Sequence, residues 1–486
     1  MPQYLSPGVY VEYVPPASLP IAGVATSIAG FIGVVADDVT MPPRPGQFYF
    51  QFPSQFQLDQ NGNPNLNAQG QPDSLLDSES NPIPVLVKNK EGKPAFSEDD
   101  EGNPVPLVDE NDIPFVLVKD DEGNPALVKD GSYVLVEEDG KPKPVLYDVA
   151  DAGEPILITS WEEFKTKFGD FQEGNKILAH AVYGFFFNGG TRCHVLRVAP
   201  SQEDPPVPPL NNPSDELEKF EPVDEITIVA VPGAVSDIQH NAIIAHCAKM
   251  GDRVAILDGD QNQGPGSVSG IRPVGRSQQA SYAAIYYPWI KVFDPVSEAP
   301  DIIPPSGHIA GIYARNDATR GVFKAPANEV IVNALDVSRP ISKAQQDGLN
   351  PEGINVIRSF KGTIKVWGGR TMADDANADF RYISTRRYFN YLVESINDGT
   401  QFAVFEPNDL GLWQRIKRTV GDFLLNEWRS GALFGETPDK AFFVKCDAET
   451  NPKEVRELGQ VVTLIGVAIV KPAEFVIFRI QQTAGE

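Results

Sequence analysis

The hydrophobic pattern changes character twice along the chain. The first 35 residues read as an extended arm and then a strand. Ser6-Pro7-Gly8 is a turn, and Val9, Tyr10, Val11, Glu12, Tyr13 and Val14 are β-prone, closed by Pro15-Pro16. Residues 28–35 form a short apolar run of buried-strand type. Between 41 and 150 short apolar runs such as Val85-Leu86-Val87 and Val134-Leu135-Val136 alternate with a tetrapeptide, as in Glu101-Gly102-Asn103-Pro104 and Asp139-Gly140-Lys141-Pro142. Acidic-Gly turns between β-branched runs predict hairpins. Their spacing is too irregular for a solenoid.

Beyond residue 155 the pattern becomes that of an α/β body. It predicts helices over 175–187, 235–250, 278–286 and 309–315. Strands are expected at 193–198, 226–231, 254–257 and 290–293. Ser160 with Glu163 three residues on is a capping-box start. From 341 a last module shows helices at 342–349, 385–398 and 410–430, and strands at 353–360, 363–367, 442–446 and 461–469. An extended apolar tail follows at 473–480. The organisation expected is therefore 1–40, an N-terminal arm and first core strand; 41–150, a β-rich acidic insert; 151–340, an α/β middle domain; and 341–486, a C-terminal domain with a terminal arm. The expected fold class is α/β (α+β).

Charge narrows the function. Of 486 residues, 41 are Lys or Arg and 66 are Asp or Glu, a formal charge of −25, which repels phosphate backbones and anionic membranes and excludes nucleic acid as a partner. No apolar run reaches membrane-spanning length, so no direct membrane insertion is expected. No basic segment precedes an apolar one at the N-terminus, so no classical export signal is expected. Residues 83–150 hold sixteen acids, seven lysines and no arginine, which suits a surface-exposed β insert or an acidic loop. The three cysteines, Cys193, Cys247 and Cys446, form no disulfide framework.

The candidate chemistry is thin. Gly264-Pro265-Gly266-Ser267-Val268-Ser269-Gly270 follows a strand, but no Lys follows it and Pro265 interrupts it, so it reads as a flexible loop. Asp258, His308 and nearby serines contain the residue types of a hydrolytic triad without a Gly-x-Ser-x-Gly elbow. Cys193-His194 and His246-Cys247 are adjacent pairs whose side chains diverge, so the reading is partly buried Cys and surface His, with no metal site. No catalytic residue and no cofactor is expected.

Two features point to a partner instead. Arg415, Lys417 and Arg418 are the densest basic cluster in this acidic chain, on a helix whose apolar stripe includes Trp413, Ile416, Val420, Phe423 and Leu424. They form either a solvated face or a docking face for an acidic surface. Both chain ends are β-prone segments outside a compact domain. Either they add to this chain's own sheet or they pair with another chain, and two such ends favour a polymer. A hydrolase or a secreted adhesin would be the competing classes.

The residues also resemble a known family. Tyr4-Leu5-Ser6-Pro7-Gly8-Val9-Tyr10-Val11-Glu12 resembles the opening of contractile tail sheath proteins of phages and phage-like injection systems. Arg339-Pro340-Ile341, Gly353-Ile354-Asn355-Val356-Ile357-Arg358, Val366-Trp367-Gly368-Gly369-Arg370-Thr371 and Tyr382-Ile383-Ser384-Thr385-Arg386-Arg387 are similar to that family too. So are Phe405-Glu406-Pro407-Asn408-Asp409 and Lys471-Pro472-Ala473-Glu474-Phe475-Val476-Ile477-Phe478. Residues 41–150 carry none of these motifs. The resemblance implies a non-enzymatic subunit that polymerises as stacked hexameric rings around an inner tube. Contraction would drive that tube through a target membrane. It implies partners that are further copies, the inner tube protein, and baseplate and terminator proteins. It also implies assembly in the bacterial cytoplasm into a phage tail or phage-like injection particle. By analogy the inter-subunit strands are Val9, Tyr10, Val11 and Glu12 at one end and Phe475, Val476, Ile477, Phe478 and Ile480 at the other. Arg415, Lys417 and Arg418 are then the tube contact.

Overall fold

The computed structural model describes residues 20–48, 50–51, 96–98, 104–106, 134–135, 137–138, 141–142, 144–200 and 211–477. The chain divides into two compact units, one of Met1–Val39, Ala150–Phe164 and Asp170–Glu486, the other of Thr40–Val149 and Lys165–Gly169.

The larger unit is built on an eight-stranded mixed sheet. Its strands are β1 (Ala29–Val34), β2 (Pro155–Ile158), β3 (Cys193–Val198), β4 (Ile228–Ala230), β5 (Val254–Asp258), β6 (Ala283–Tyr287), β7 (Ile354–Phe360) and β8 (Thr363–Val366), in spatial order β2-β3-β1-β4-β5-β6-β7-β8. The six central strands run parallel, and β2 and β8 close the edges antiparallel. Central strands such as β5 and β6 are buried at every residue, which is why they read as continuous apolar runs rather than as alternations. The sheet continues past residue 340, because β7 and β8 complete it from the C-terminal side.

Helices α1 (Lys176–Phe187), α2 (Asp237–Met250), α3 (Ser306–Arg320) and α4 (Lys343–Leu349) pack on the sheet, and α5 (Ile383–Thr400) and α6 (Leu410–Arg429) follow. Ser236 and Ser342 cap α2 and α4 through the N–H groups of Gln239 and Gln345. Ser160 accepts from the Glu163 N–H at 3.1 Å, whereas the Glu163 carboxylate reaches Thr159 rather than the capping residue. Helices α1 and α3 touch backbone to backbone at small residues: a β-carbon on Gly307 would come within 2.3 Å of the Ala181 carbonyl oxygen. A second core lies between α5 and α6 around Tyr388, Leu392, Ile416 and Phe423. A two-stranded antiparallel sheet, β9 (Phe442–Lys445) and β10 (Leu464–Val467), packs against it.

The smaller unit pairs Pro43–Phe48 with Pro144–Leu146 and Phe50–Gln51 with Val134–Leu135. Two short antiparallel pairs are Phe96–Glu98 with Pro104–Pro106 and Glu137–Glu138 with Lys141–Pro142. The expected turns between them, and the other copies of the repeat, lie outside the described residues.

Two sequence expectations need correction. Residues 278–286 are not a helix. A 3-10 turn at Gln279–Tyr282 leads into β6, whose place between β5 and β7 overrides the helical preference of its alanines. His194 and His246 are buried rather than on the surface, at 8% and 6% exposure. His194 lies on a fully covered strand, with Nε2 2.7 Å from Glu225. All three cysteines are free and buried.

Candidate functional site: the roots of the two chain ends

The hydrolytic constellation does not assemble. Ser306 Oγ donates directly to Asp258 at 2.8 Å, and the Ser306 N–H and the Gly233 N–H complete the carboxylate's shell at 3.0 Å each. Asp258 thereby ties the end of β5 to the start of α3. Burial pushes its carboxyl up to about 7 against the pull of those donors. His308 is fully buried and neither ring nitrogen has a partner, and burial pushes its imidazole down to about 3. No imidazole stands between hydroxyl and carboxylate, so the geometry of a general base is missing. Among the described residues no group of three or more His, Cys, Asp or Glu is placed to hold a metal ion.

The chain ends are where the geometry concentrates. Residues 20–28 form no secondary structure, yet they are fastened along α5. Ile21 packs where a β-carbon on Gly399 would come within 2.4 Å of it, and the Val24 N–H donates to Ser395 Oγ at 3.1 Å. Gly23 lies against the Tyr391 ring. Thr26 then meets Arg387: its carbonyl accepts from Arg387 at 2.7 Å and its hydroxyl donates to Asp317 at 2.7 Å. Arg387 and Asp317 are themselves a buried two-pronged pair at 2.6 and 2.9 Å, with side chains 3% and 6% exposed. Residues 387, 391, 395 and 399 recur every four positions, one stripe about 18 Å long on a helix rising about 1.5 Å per residue.

The other end is held at Glu474. Arg370 Nε and Nη2 each donate to its carboxylate at 2.8 Å. Asn350 adds a third bond at 2.7 Å and the Tyr382 hydroxyl a fourth at 2.9 Å. Partial burial works against the charge, but these donors outweigh it and hold the carboxyl below its ordinary range. Arg370 is pre-set for this task, because buried Asn355 bonds both its N–H, at 2.7 Å, and its C=O, at 2.8 Å. Tyr382 is the residue immediately before α5. Past Glu474, Phe475, Val476 and Ile477 are exposed and take part in no strand.

The structure thus places part of the expected set. Val9, Tyr10, Val11, Glu12, Phe478 and Ile480 lie outside the described residues. Arg415 is already engaged, with Glu406 at 3.5 Å and over the Phe402 ring at 5.6 Å. Lys417 and Arg418 are exposed, without ion-pair partners among the described residues. At about 100° per residue Lys417 stands on a different side of α6 from Arg415, so the three do not form one face. The β9–β10 sheet has no further strand on either edge among the described residues, and it exposes Phe443 and Leu464. Sequence reasoning missed Thr26, Asp317, Arg387, Arg370 and Glu474 as functional residues. The available signal was the charge of Arg387 itself, four residues after buried Ile383 and directly before buried Tyr388 on the same helix.

In this mixed α/β body the segment 20–28 is fastened along α5, and Glu474 is held just before that helix by Arg370, Asn350 and Tyr382. Residues 212–372 match the phage tail sheath protein central domain, and residues 375–483 match the phage tail sheath C-terminal domain. A chain in the cryo-EM structure of the anti-feeding prophage (AFP) baseplate is 30% identical, with a TM-score of 0.57, covering 72% of this chain and 98% of that one. The chain belongs to the phage tail sheath protein family, a family of structural, non-enzymatic proteins that includes the sheaths of phage-like contractile injection systems.

Among solved structures it also resembles the PVC sheath complex in the contracted state, at 23% identity and a TM-score of 0.61, over 99% of each chain. That likeness is one of fold. Among curated relatives, the tail sheath protein of Burkholderia phage BcepMu is 30% identical over 206 residues, which is 41% of this chain and 42% of that protein. A putative prophage major tail sheath protein of Pseudomonas aeruginosa is 25% identical over 47% of this chain and 58% of its own length. The chain spans about half the length of these curated relatives.

Proposed function

We propose that this protein is the repeating subunit of a contractile sheath that stacks in hexameric rings around an inner tube and contracts to drive the tube through a target membrane. The observation that carries the reading is the 30% identity across 98% of a chain in the AFP baseplate structure. The exposed Phe475, Val476 and Ile477, beginning one residue past a four-donor anchor, support it. Such a segment donates a strand to a neighbour. The β9–β10 sheet, with no further strand on either edge among the described residues, is the fitting acceptor. Each backbone bond of such a pairing contributes only about 0.5–1.5 kcal/mol net, but repetition in every subunit locks a lattice. Val9, Tyr10, Val11 and Glu12 would supply the strand from the other end. The exposed Lys417 and Arg418 are the tube contact, with Arg415 held back by Glu406. Baseplate and terminator proteins complete the particle, a phage tail or an injection device assembled in the bacterial cytoplasm. The insert decorates the outer surface.

Negative-stain electron microscopy of the protein with its tube protein tests this. Tubes or stacked rings are expected, and removal of residues 474–486 should abolish them while leaving a folded chain. Full-length sheaths from the truncated chain would overturn the strand-donor assignment.

A further inference from the structure

Two segments near the chain ends are fastened at α5 and at the turn leading into it, by different chemistry. The N-terminal segment lies along the stripe of α5 marked by Arg387, Tyr391, Ser395 and Gly399 and reaches the buried Arg387–Asp317 pair. The C-terminal segment is held at Glu474 by Tyr382, the residue before α5, and by Arg370 and Asn350. The backbones of Arg370 and Tyr382 are joined by a β-bridge, and the Ile383 N–H donates to the Gly369 carbonyl at 3.0 Å. The Glu474 grip is therefore continuous with the first turn of α5. Tyr382 and Arg387 are five residues apart, a rise of about 7.5 Å.

We infer that α5 is a common mount for both terminal segments. On this assignment Glu474 with Arg370 and Tyr382, and Thr26 with Arg387 and Asp317, are positioning residues that fix where each segment leaves the body to meet a second copy of this chain. The inference rests on the sheath reading for its partner, but the anchoring itself is a property of the single chain.

The three native thiols are buried, so a nitroxide on an introduced surface cysteine reports one position. Ile477→Cys reports the C-terminal segment and Ala22→Cys the N-terminal one. Glu474→Gln removes the charge from its grip, and Tyr382→Phe removes one bond of the four and keeps the ring. Thr26→Val removes only the hydroxyl that Asp317 accepts. In the full-length chain, Glu474→Gln should raise the rotational mobility of the label at 477 severalfold, and Tyr382→Phe should raise it less. Thr26→Val should do the same at 22, with thermal unfolding unchanged in each case. Mixed with tube protein, the Glu474→Gln and Thr26→Val chains should give few or irregular sheaths.

Unchanged label mobility in Glu474→Gln and Tyr382→Phe overturns the anchor. Raised mobility with sheaths indistinguishable from wild type overturns the positioning role. A wild-type chain that forms no sheath on its tube overturns the sheath reading, while a mobility jump in that same chain upholds the anchor.

Discussion

Gly307 and Ala181 meet main chain to main chain, so closely that a single methyl group on Gly307 would reach 2.3 Å from the Ala181 carbonyl oxygen. The obstacle is backbone and cannot swing aside. Gly311 repeats the arrangement one turn on, against the Phe185 carbonyl oxygen at 2.4 Å. Gly307→Ala should therefore cost about 3 kcal/mol or more by forcing α1 and α3 apart. Urea unfolding followed by circular dichroism measures it. A change below about 0.5 kcal/mol would mean that the helices are free to separate.

The Arg387–Asp317 pair should show the asymmetry of buried charges. Arg387→Met leaves Asp317 buried without its partner and is expected to lose about 3–5 kcal/mol. The double variant Arg387→Met with Asp317→Leu should recover most of that, because neither charge then remains. The same unfolding experiment checks both, and an additive double variant would show that the two side chains are energetically independent.

Acid should loosen the body through its buried imidazoles. Burial lowers His240 to about 4 and His308 to about 3, from an ordinary value of 6.5. The folded state keeps both neutral, whereas the unfolded chain takes up protons below pH 6.5. Stability is therefore full above that pH and falls as the pH drops from 6.5 toward 4 and below, by about 3 kcal/mol at His240 on a scale of about 1.4 kcal/mol per unit. Melting temperatures between pH 7 and pH 4 test the slope, which His308→Leu should flatten.

Lys417 and Arg418 should govern attachment to the tube. Reversing both to Glu is expected to reduce tube-bound extended sheath and to leave contracted, tube-free sheath intact. Arg415→Glu should do less, since that guanidinium already faces Glu406. Wild-type attachment should weaken between 50 and 500 mM salt, because exposed pairs are screened. Particle counts by electron microscopy decide it, and equal attachment in all variants would remove this helix from the contact.

Most of the body was legible because its strands are short apolar runs bounded by turns and its helices carry their own caps. The run 193–198 became β3 at those bounds, and Ser236 and Ser342 cap where the pattern begins. The segment 278–286 misled because Ala283 and Ala284 favour a helix in isolation, and only pairing with strands on both sides makes them extended. The anchors were not legible. Glu474 meets Arg370 across 104 residues, and Thr26 meets Asp317 across 291, distances over which one sequence carries no pairing signal. The basic cluster was legible as a composition but not as a geometry, since one of its three charges is spent within the chain.

The place of β1 in the sheet has a consequence for how the molecule is made. Of the strands of the sheet Ala29–Val34 is made first, yet its neighbours on both sides are Cys193–Val198 and Ile228–Ala230. At about 5–20 residues per second the nascent strand waits roughly ten to thirty seconds for its first partner, with the acidic insert emerging in between. Ala29–Val34 is thus the oldest strand of the sheet, made well before either strand that it pairs with.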